Sequence, residues 1–308
     1  MHKPSLLALL CLMLSVNSYG MDASKHIETW PLTVLDDAGR KLHFAEQAQT
    51  VVSLAPHITE LLFAAGAGSN IVATSRFSDH PIEAQKIPMI GDAYSVNMEA
   101  LLALNPDLVI LWQSGVGIRT VELLERLGIR YFMSEPKTVT AMLDTLRLFG
   151  RLAGDPLQAN EQADQLQARW QILQKNYRSK APIKVFYQIW HQPLFTLSNP
   201  HIIDDILTNC GAENIFSDQP KVVFRTQLEA VLLANPEAIL FGGLHQPVES
   251  ETNRKFWRRF SQLLAVKNDH LIPVPEKWIH RPSPRMLDGA EHVCKELHQV
   301  RIARSIQN

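Results

Sequence analysis

Short apolar runs alternate with longer stretches of helical period along this chain. In the first half, residues 50–54, 71–74 and 108–112 are blocks of apolar, often β-branched residues too short for helices, and in the second half residues 184–189 and 238–241 repeat the pattern. Such blocks read as buried strands. Between them, apolar residues recur every three or four positions, so strands alternate with helices and predict βαβ units with a mostly parallel sheet in each half. Sheets of this kind bind ligands beyond the carboxyl ends of their strands.

The two halves echo each other. Met98-Glu99-Ala100-Leu101-Leu102-Ala103-Leu104-Asn105-Pro106-Asp107 reappears as Leu228-Glu229-Ala230-Val231-Leu232-Leu233-Ala234-Asn235-Pro236-Glu237, and each copy runs into an apolar strand. An earlier pair keeps the same order: Ile58-Thr59-Glu60-Leu61-Leu62-Phe63-Ala64-Ala65-Gly66-Ala67 and Ile203-Asp204-Asp205-Ile206-Leu207-Thr208-Asn209-Cys210-Gly211-Ala212, each with a glycine placed to cap its helix. Two matches in one order argue for duplicated lobes rather than a short-period solenoid.

Between the halves, Asp155-Pro156 reads as an N-cap followed by proline at the first helical position, ahead of a glycine-free Gln/Ala/Leu-rich stretch. A continuous helix here is a stiff bridge, with a helix packed wholly within one lobe as the alternative. The fold class expected is therefore α/β: two pseudo-symmetric lobes, each a mostly parallel sheet flanked by helices, joined by one long rigid α-helix. The boundaries expected are an N-terminal lobe over 21–154, an interlobe helix over 155–179 and a C-terminal lobe over 180–308.

Residues 1–20 read as a secretory signal, with Lys3 ahead of an apolar run of about eleven residues and Ser18-Tyr19-Gly20 as a small-x-small cleavage site. That run is short of the roughly twenty residues a membrane span needs. An exported protein cleaved near Gly20 is expected. Thirty basic residues against thirty-one acidic ones leave a formal net charge of -1, which provides no electrostatic footprint for nucleic acid or an anionic membrane. Beyond the signal, Cys210 and Cys294 are an even pair in an oxidising compartment, which predicts a disulfide, with two buried thiols as the alternative.

Four motifs in order, Val52-Ser53-Leu54-Ala55-Pro56-His57-Ile58-Thr59-Glu60, Phe77-Ser78-Asp79-His80-Pro81, Asn105-Pro106-Asp107-Leu108-Val109 and Arg281-Pro282-Ser283-Pro284-Arg285, resemble the helical-backbone substrate-binding proteins of ABC importers. This family carries cobalamin, haem and iron-siderophores, and the resemblance runs from about residue 50 to residue 297. Ala84-Gln85-Lys86-Ile87, the strand-closing Trp112 and the run from Cys210 to Phe216 place the chain nearest the cobalamin-binding members, in which the matching cysteines are bridged. The resemblance implies a periplasmic carrier, not an enzyme, that takes cobalamin or a related corrinoid to a permease dimer at the inner membrane. It also matches Glu99 and Glu229 to two surface carboxylates, one per lobe, that dock onto permease arginines. On their own, both are equally what a helix dipole favours in its first turn. A monomer is expected.

A corrinoid is broad, apolar on its faces and fringed with amides, so its site needs aromatic surfaces and a few polar groups. The strand-end loops offer Phe77, Ala93, Tyr94 and Trp112 in the first lobe and Trp190, Phe195, Phe224, Trp278 and Arg281 in the second. Phe77 and Arg281 match ligand-contact positions of the family. Its cleft tryptophans are absent in the 92–95 loop and ahead of Glu229, where Ala93 with Tyr94 and Val223 with Phe224 stand instead, so haem and other corrinoids stay open as ligands. His57, His80, His191, His245 and His280 fall in strand-end loops, and His191 or His280 is the choice for an axial metal ligand should one exist. No resident metal, cofactor or catalytic residue is expected. A zinc or manganese transport receptor would need three or four converging His and carboxylate ligands and usually a His-rich loop, which is missing. Gly115-Val116-Gly117 is only a partial dinucleotide motif, and no nucleophile elbow or His-Glu-x-x-His is present.

Overall fold

The structure is a computed structural model, and it describes residues 30–92, 95–243 and 245–307. The expected signal, residues 1–20, lies outside them. In the first lobe, an antiparallel hairpin of β1 (Leu32–Leu35) and β2 (Lys41–Phe44) precedes the main sheet. That lobe continues with β3 (Val51–Ser53), α1 (Pro56–Ala64), β4 (Ile71–Thr74), α2 (Met98–Leu104), β5 (Leu108–Trp112), α3 (Ile118–Arg126), β6 (Tyr131–Ser134) and α4 (Val139–Ala153). After α5 (Pro156–Tyr177) come β7 (Ile183–Gln188), β8 (Trp190–His191), β9 (Leu194–Leu197), α6 (Ile202–Asn209), β10 (Ala212–Asn214), β11 (Val223–Arg225), α7 (Leu228–Ala234) and β12 (Ala238–Gly242). The second lobe closes with α8 (Pro247–Arg258), α9 (Leu264–Lys267), β13 (Leu271–Val274), α10 (Glu276–Ile279) and α11 (Met286–Gln307).

The main sheets are parallel and share one topology. Their orders, β4-β3-β5-β6 and β10-β7-β12-β13, both place the second strand outside the first and then the third and fourth on the other side. The repeated sequences occupy equivalent places. Asn105 and Asn235 end α2 and α7 in the left-handed region, at φ 42° and 46°, and the proline after each prevents the helix from continuing. Gly66 and Gly211 turn the chain after α1 and α6 at φ 76° and 70°.

Period-two alternation explains how the sheets are covered. Leu108 and Ile110 of β5 face a central apolar layer while Val109 and Leu111 face an outer cluster; Ala238 and Leu240 of β12 face the same central layer while Ile239 and Phe241 face another outer cluster. The central layer thus belongs to both lobes.

One continuous helix bridges the halves, running over Pro156–Tyr177. α5 is 22 residues, about 33 Å long, and Asp155 caps it by accepting the Leu157 and Gln158 N–H groups at 2.8 and 3.2 Å. Its buried face repeats at Ala159, Ala163, Leu166, Trp170 and Leu173, and a Cβ at Gly150 would lie 2.3 Å from that of Ala159, so small residues let α4 and α5 touch. Gln158 reaches α1 through the Ala64 carbonyl, while Arg169 pairs with Asp288 and Glu291 of α11. The bridge is broader than a single rod, because α4 also meets α6 directly and the Val139 N–H donates to Asp205 at 2.9 Å. Cys210 and Cys294 form a disulfide between the end of α6 and α11, with a Cα separation of 4.7 Å.

Candidate functional site: a cleft between the lobes

A cleft of about 410 Å³ opens where strands of both sheets end. Residues following β3, β5 and β6 form one wall, including His57, Trp112, Ser114 and Glu135, and the start of α6 with the segment after α10 forms the other, including His201, His280 and Arg281. This is the carboxyl-end position expected of parallel sheets.

Trp112 ends β5 and meets His57 edge-on, with ring centroids 5.8 Å apart. The tight turn beyond it needs Gly115, since a Cβ there would lie 2.1 Å from the Trp112 ring. The partial glycine motif therefore supports a tryptophan. The Ser114 N–H donates to Glu135 at 2.8 Å, fixing the same loop.

Arg281 is the other expected residue in the cleft wall, and its guanidinium bonds across the lobe boundary. Nη1 donates to Glu60 at 3.1 Å and to Asp79 at 2.6 Å, and Nη2 donates to the Phe77 carbonyl at 3.2 Å. Glu60, buried on α1, also accepts from Ser283 Oγ at 2.7 Å and from Nε of Arg285 at 2.9 Å. Lys277 adds a bond to Asp79 at 3.0 Å. Burial alone would raise the Asp79 carboxyl, but the hydrogen bonds and charges of Arg281 and Lys277 outweigh it and hold it at about 2. The result is an ionic clasp across the lobe boundary.

Three imidazoles face the cleft in neutral form. Burial lowers His57 to about 3, with the Arg281 charge adding to it, and His201 to about 4, with His280 adding. Burial also brings His280 down to about 4. His280 Nε2 and Tyr187 Oη share a hydrogen bond of 2.9 Å. His57 Nε2 is buried without a hydrogen-bond partner among the described residues.

The other expected residues that the structure describes are not among those lining this cleft. Phe77 stands 70% exposed in the left-handed region, and its carbonyl accepts from Arg281 of the cleft wall. Trp190 and Phe195 are cross-strand partners on one face of the antiparallel β8-β9-β11 sheet. Phe224 pairs with Thr196 on the opposite face and packs edge-on against Phe216, at 5.8 Å. Trp278 lies beside His245 with the rings tilted, centroids 5.2 Å apart. Ala93 and Tyr94 fall outside the described residues. His191 sits beside Trp190 and His80 is exposed on its loop. Glu99 and Glu229 occupy identical second positions of α2 and α7, both exposed. Among the described residues no three His, Cys, Asp or Glu side chains are grouped to hold a metal ion, and no helix is long and apolar enough to cross a membrane.

Sequence reasoning missed His201 and the Glu60 clasp. A glutamate inside Ile58-Thr59-Glu60-Leu61-Leu62 was a usable signal, because a carboxylate on an otherwise apolar helix face demands a partner. His201 gave none, since histidine is not among the usual capping residues.

Residues 51–277 match the family described as periplasmic binding protein. The chain is 34% identical over 251 residues to the vitamin B12-binding protein of Vibrio cholerae serotype O1 (strain ATCC 39541), covering 81% of this chain and 89% of that one. It is 35% identical over 262 residues to the vitamin B12-binding protein of Pectobacterium atrosepticum, covering 83% and 91%. Among solved structures, the periplasmic vitamin B12 binding protein BtuF of Vibrio cholerae superposes with a TM-score of 0.76 at 33% identity, covering 83% of this chain and 98% of that one.

Proposed function

The chain belongs to the periplasmic binding protein family, and on that premise we propose that it captures cobalamin in the interlobe cleft and delivers it to the permease of an ABC importer. The observation that carries this reading is the cleft itself, set at the strand ends of two like sheets, with Trp112 for an apolar ring face and neutral imidazoles for a polar fringe. The vitamin B12-binding relatives support the choice of cargo. The chain works in the periplasm after loss of residues 1–20, as a monomer. Its lobes span 21–154 and 180–308, and the helix between them sets their spacing. Glu99 and Glu229, equivalent and exposed on equivalent helices, are the docking carboxylates, because a two-fold permease presents the same basic pocket twice. Trp112 contacts the ligand directly, whereas Arg281 shapes the cleft through its clasp to Glu60 and Asp79. Calorimetric titration of the mature protein with cyanocobalamin, haem and a ferric siderophore tests the assignment: cyanocobalamin should bind tightly, and tight binding of haem alone overturns it.

A further inference from the structure

His201 is the N-cap of α6, and its Nδ1 accepts the Ile203 N–H at 3.1 Å. An imidazole nitrogen that accepts a backbone N–H holds no proton of its own. The single proton of the neutral ring therefore sits on Nε2, and this atom makes no hydrogen bond within the described residues. The ring lines the cleft, so the fold presents a donor whose tautomer is set by a helix cap. His57, 5% exposed with its Nε2 unpartnered, lines the same cleft from the other lobe.

Lys137 and Arg281 line the cleft with these rings, but the net charge around it is small. Arg281 shares Glu60 with Arg285 and Asp79 with Lys277, while Lys137, itself in the cleft lining, has Glu135 in the same lining and Asp37 nearby, so four cations stand against four carboxylates. All three imidazoles lie well below their ordinary range through burial. A carboxylate entering such a site gives up its hydration to meet cations whose charge nearby carboxylates already balance, whereas an amide carbonyl gives up less and finds an N–H.

We propose that His201 is a specificity-determining residue whose Nε2–H reads an amide carbonyl at the ligand's edge, and that the cleft thereby selects an uncharged, amide-fringed macrocycle over a carboxylate-fringed one. The inference rests on the corrinoid reading above and adds the means of discrimination. His201→Ser retains an oxygen to cap α6 but is too short to leave a donor at the Nε2 position, and His201→Asn retains both an acceptor and a longer-reaching N–H donor.

Wild type and both variants are titrated at pH 7 with cyanocobalamin, with its mono-carboxylate derivatives in which one peripheral amide is hydrolysed, and with haem, alongside thermal melts. Cyanocobalamin affinity should fall roughly three- to tenfold in His201→Ser and less in His201→Asn, at unchanged Tm. Wild type should bind at least one mono-carboxylate roughly tenfold more weakly than the parent, with the difference diminished in His201→Ser. The proposal is overturned if His201→Ser binds cyanocobalamin like wild type, or if every mono-carboxylate matches the parent. These results leave the corrinoid reading standing. If wild type binds haem and not cyanocobalamin, that reading falls and the selection mechanism with it.

Discussion

Replacing Glu60 with Gln keeps the shape of the side chain and removes its charge from between two guanidinium groups. The Glu60 side chain is 2% exposed and those of Arg281 and Arg285 are 14% and 21% exposed, so solvent screens these pairs little. Removing one partner of a buried ion pair costs about 3–5 kcal/mol, because the remaining charges keep their desolvation penalty. The amide adds to the loss by turning an N–H group toward donors. At roughly 2–4 °C per kcal/mol for a chain of this size, Tm should fall by roughly 6–20 °C. Circular dichroism melts of wild type, Glu60→Gln, Arg285→Gln and the double variant form a cycle, in which coupling above about 1 kcal/mol is expected for residues in one network. A single variant melting within about 2 °C of wild type, or coupling below about 0.5 kcal/mol, would show that the clasp contributes little to holding the lobes.

Replacing both Cys210 and Cys294 with Ala opens a loop spanning 84 residues and should cost about 2–5 kcal/mol, read from urea midpoints; an unchanged midpoint would contradict a structural role for the bridge. Glu99→Lys combined with Glu229→Lys should abolish uptake while ligand affinity in solution stays the same, and normal uptake by this variant would refute the docking assignment. Stability should decline on acidification from about pH 6.5 to about pH 4, because the unfolded chain protonates its histidines near 6.5 while the folded state keeps His57, His201 and His280 neutral down to about 3–4. Melts at pH 7.0, 5.5 and 4.5 check the sign, and a flat Tm would contradict it. Asp79 acts in the same direction at lower pH, losing its contribution between about 3.8 and about 2.

Strands buried on both faces were the easiest elements to read. Ile71–Thr74 and Leu108–Trp112 match the expected runs because every residue there is selected for apolar burial or backbone pairing. Leu271–Val274 escaped notice because Pro273 interrupts it, and its place at the sheet edge is where a strand tolerates proline. The β8-β9-β11 sheet was invisible for a different reason: strands of two to four residues are too short to establish a period. At the site, strand ends placed Trp112 and Arg281 in the cleft, but the partners of Arg281 lie 202 and 221 residues away, and no local pattern records contacts of that kind. Phe224 shows the opposite failure. Its aromatic character was evident, but the face it occupies depends on the register with β9.

The apolar layer that takes alternate residues from both parallel sheets has a thermodynamic corollary. Neither half of the chain closes its own interior, because α1, α4, α5, α6 and α11 bury their side chains against one another in a single continuous cluster. Severing the polypeptide after Tyr177 would leave each fragment with a greasy flank facing water, so duplication here yields one cooperative melting unit and not two independent ones.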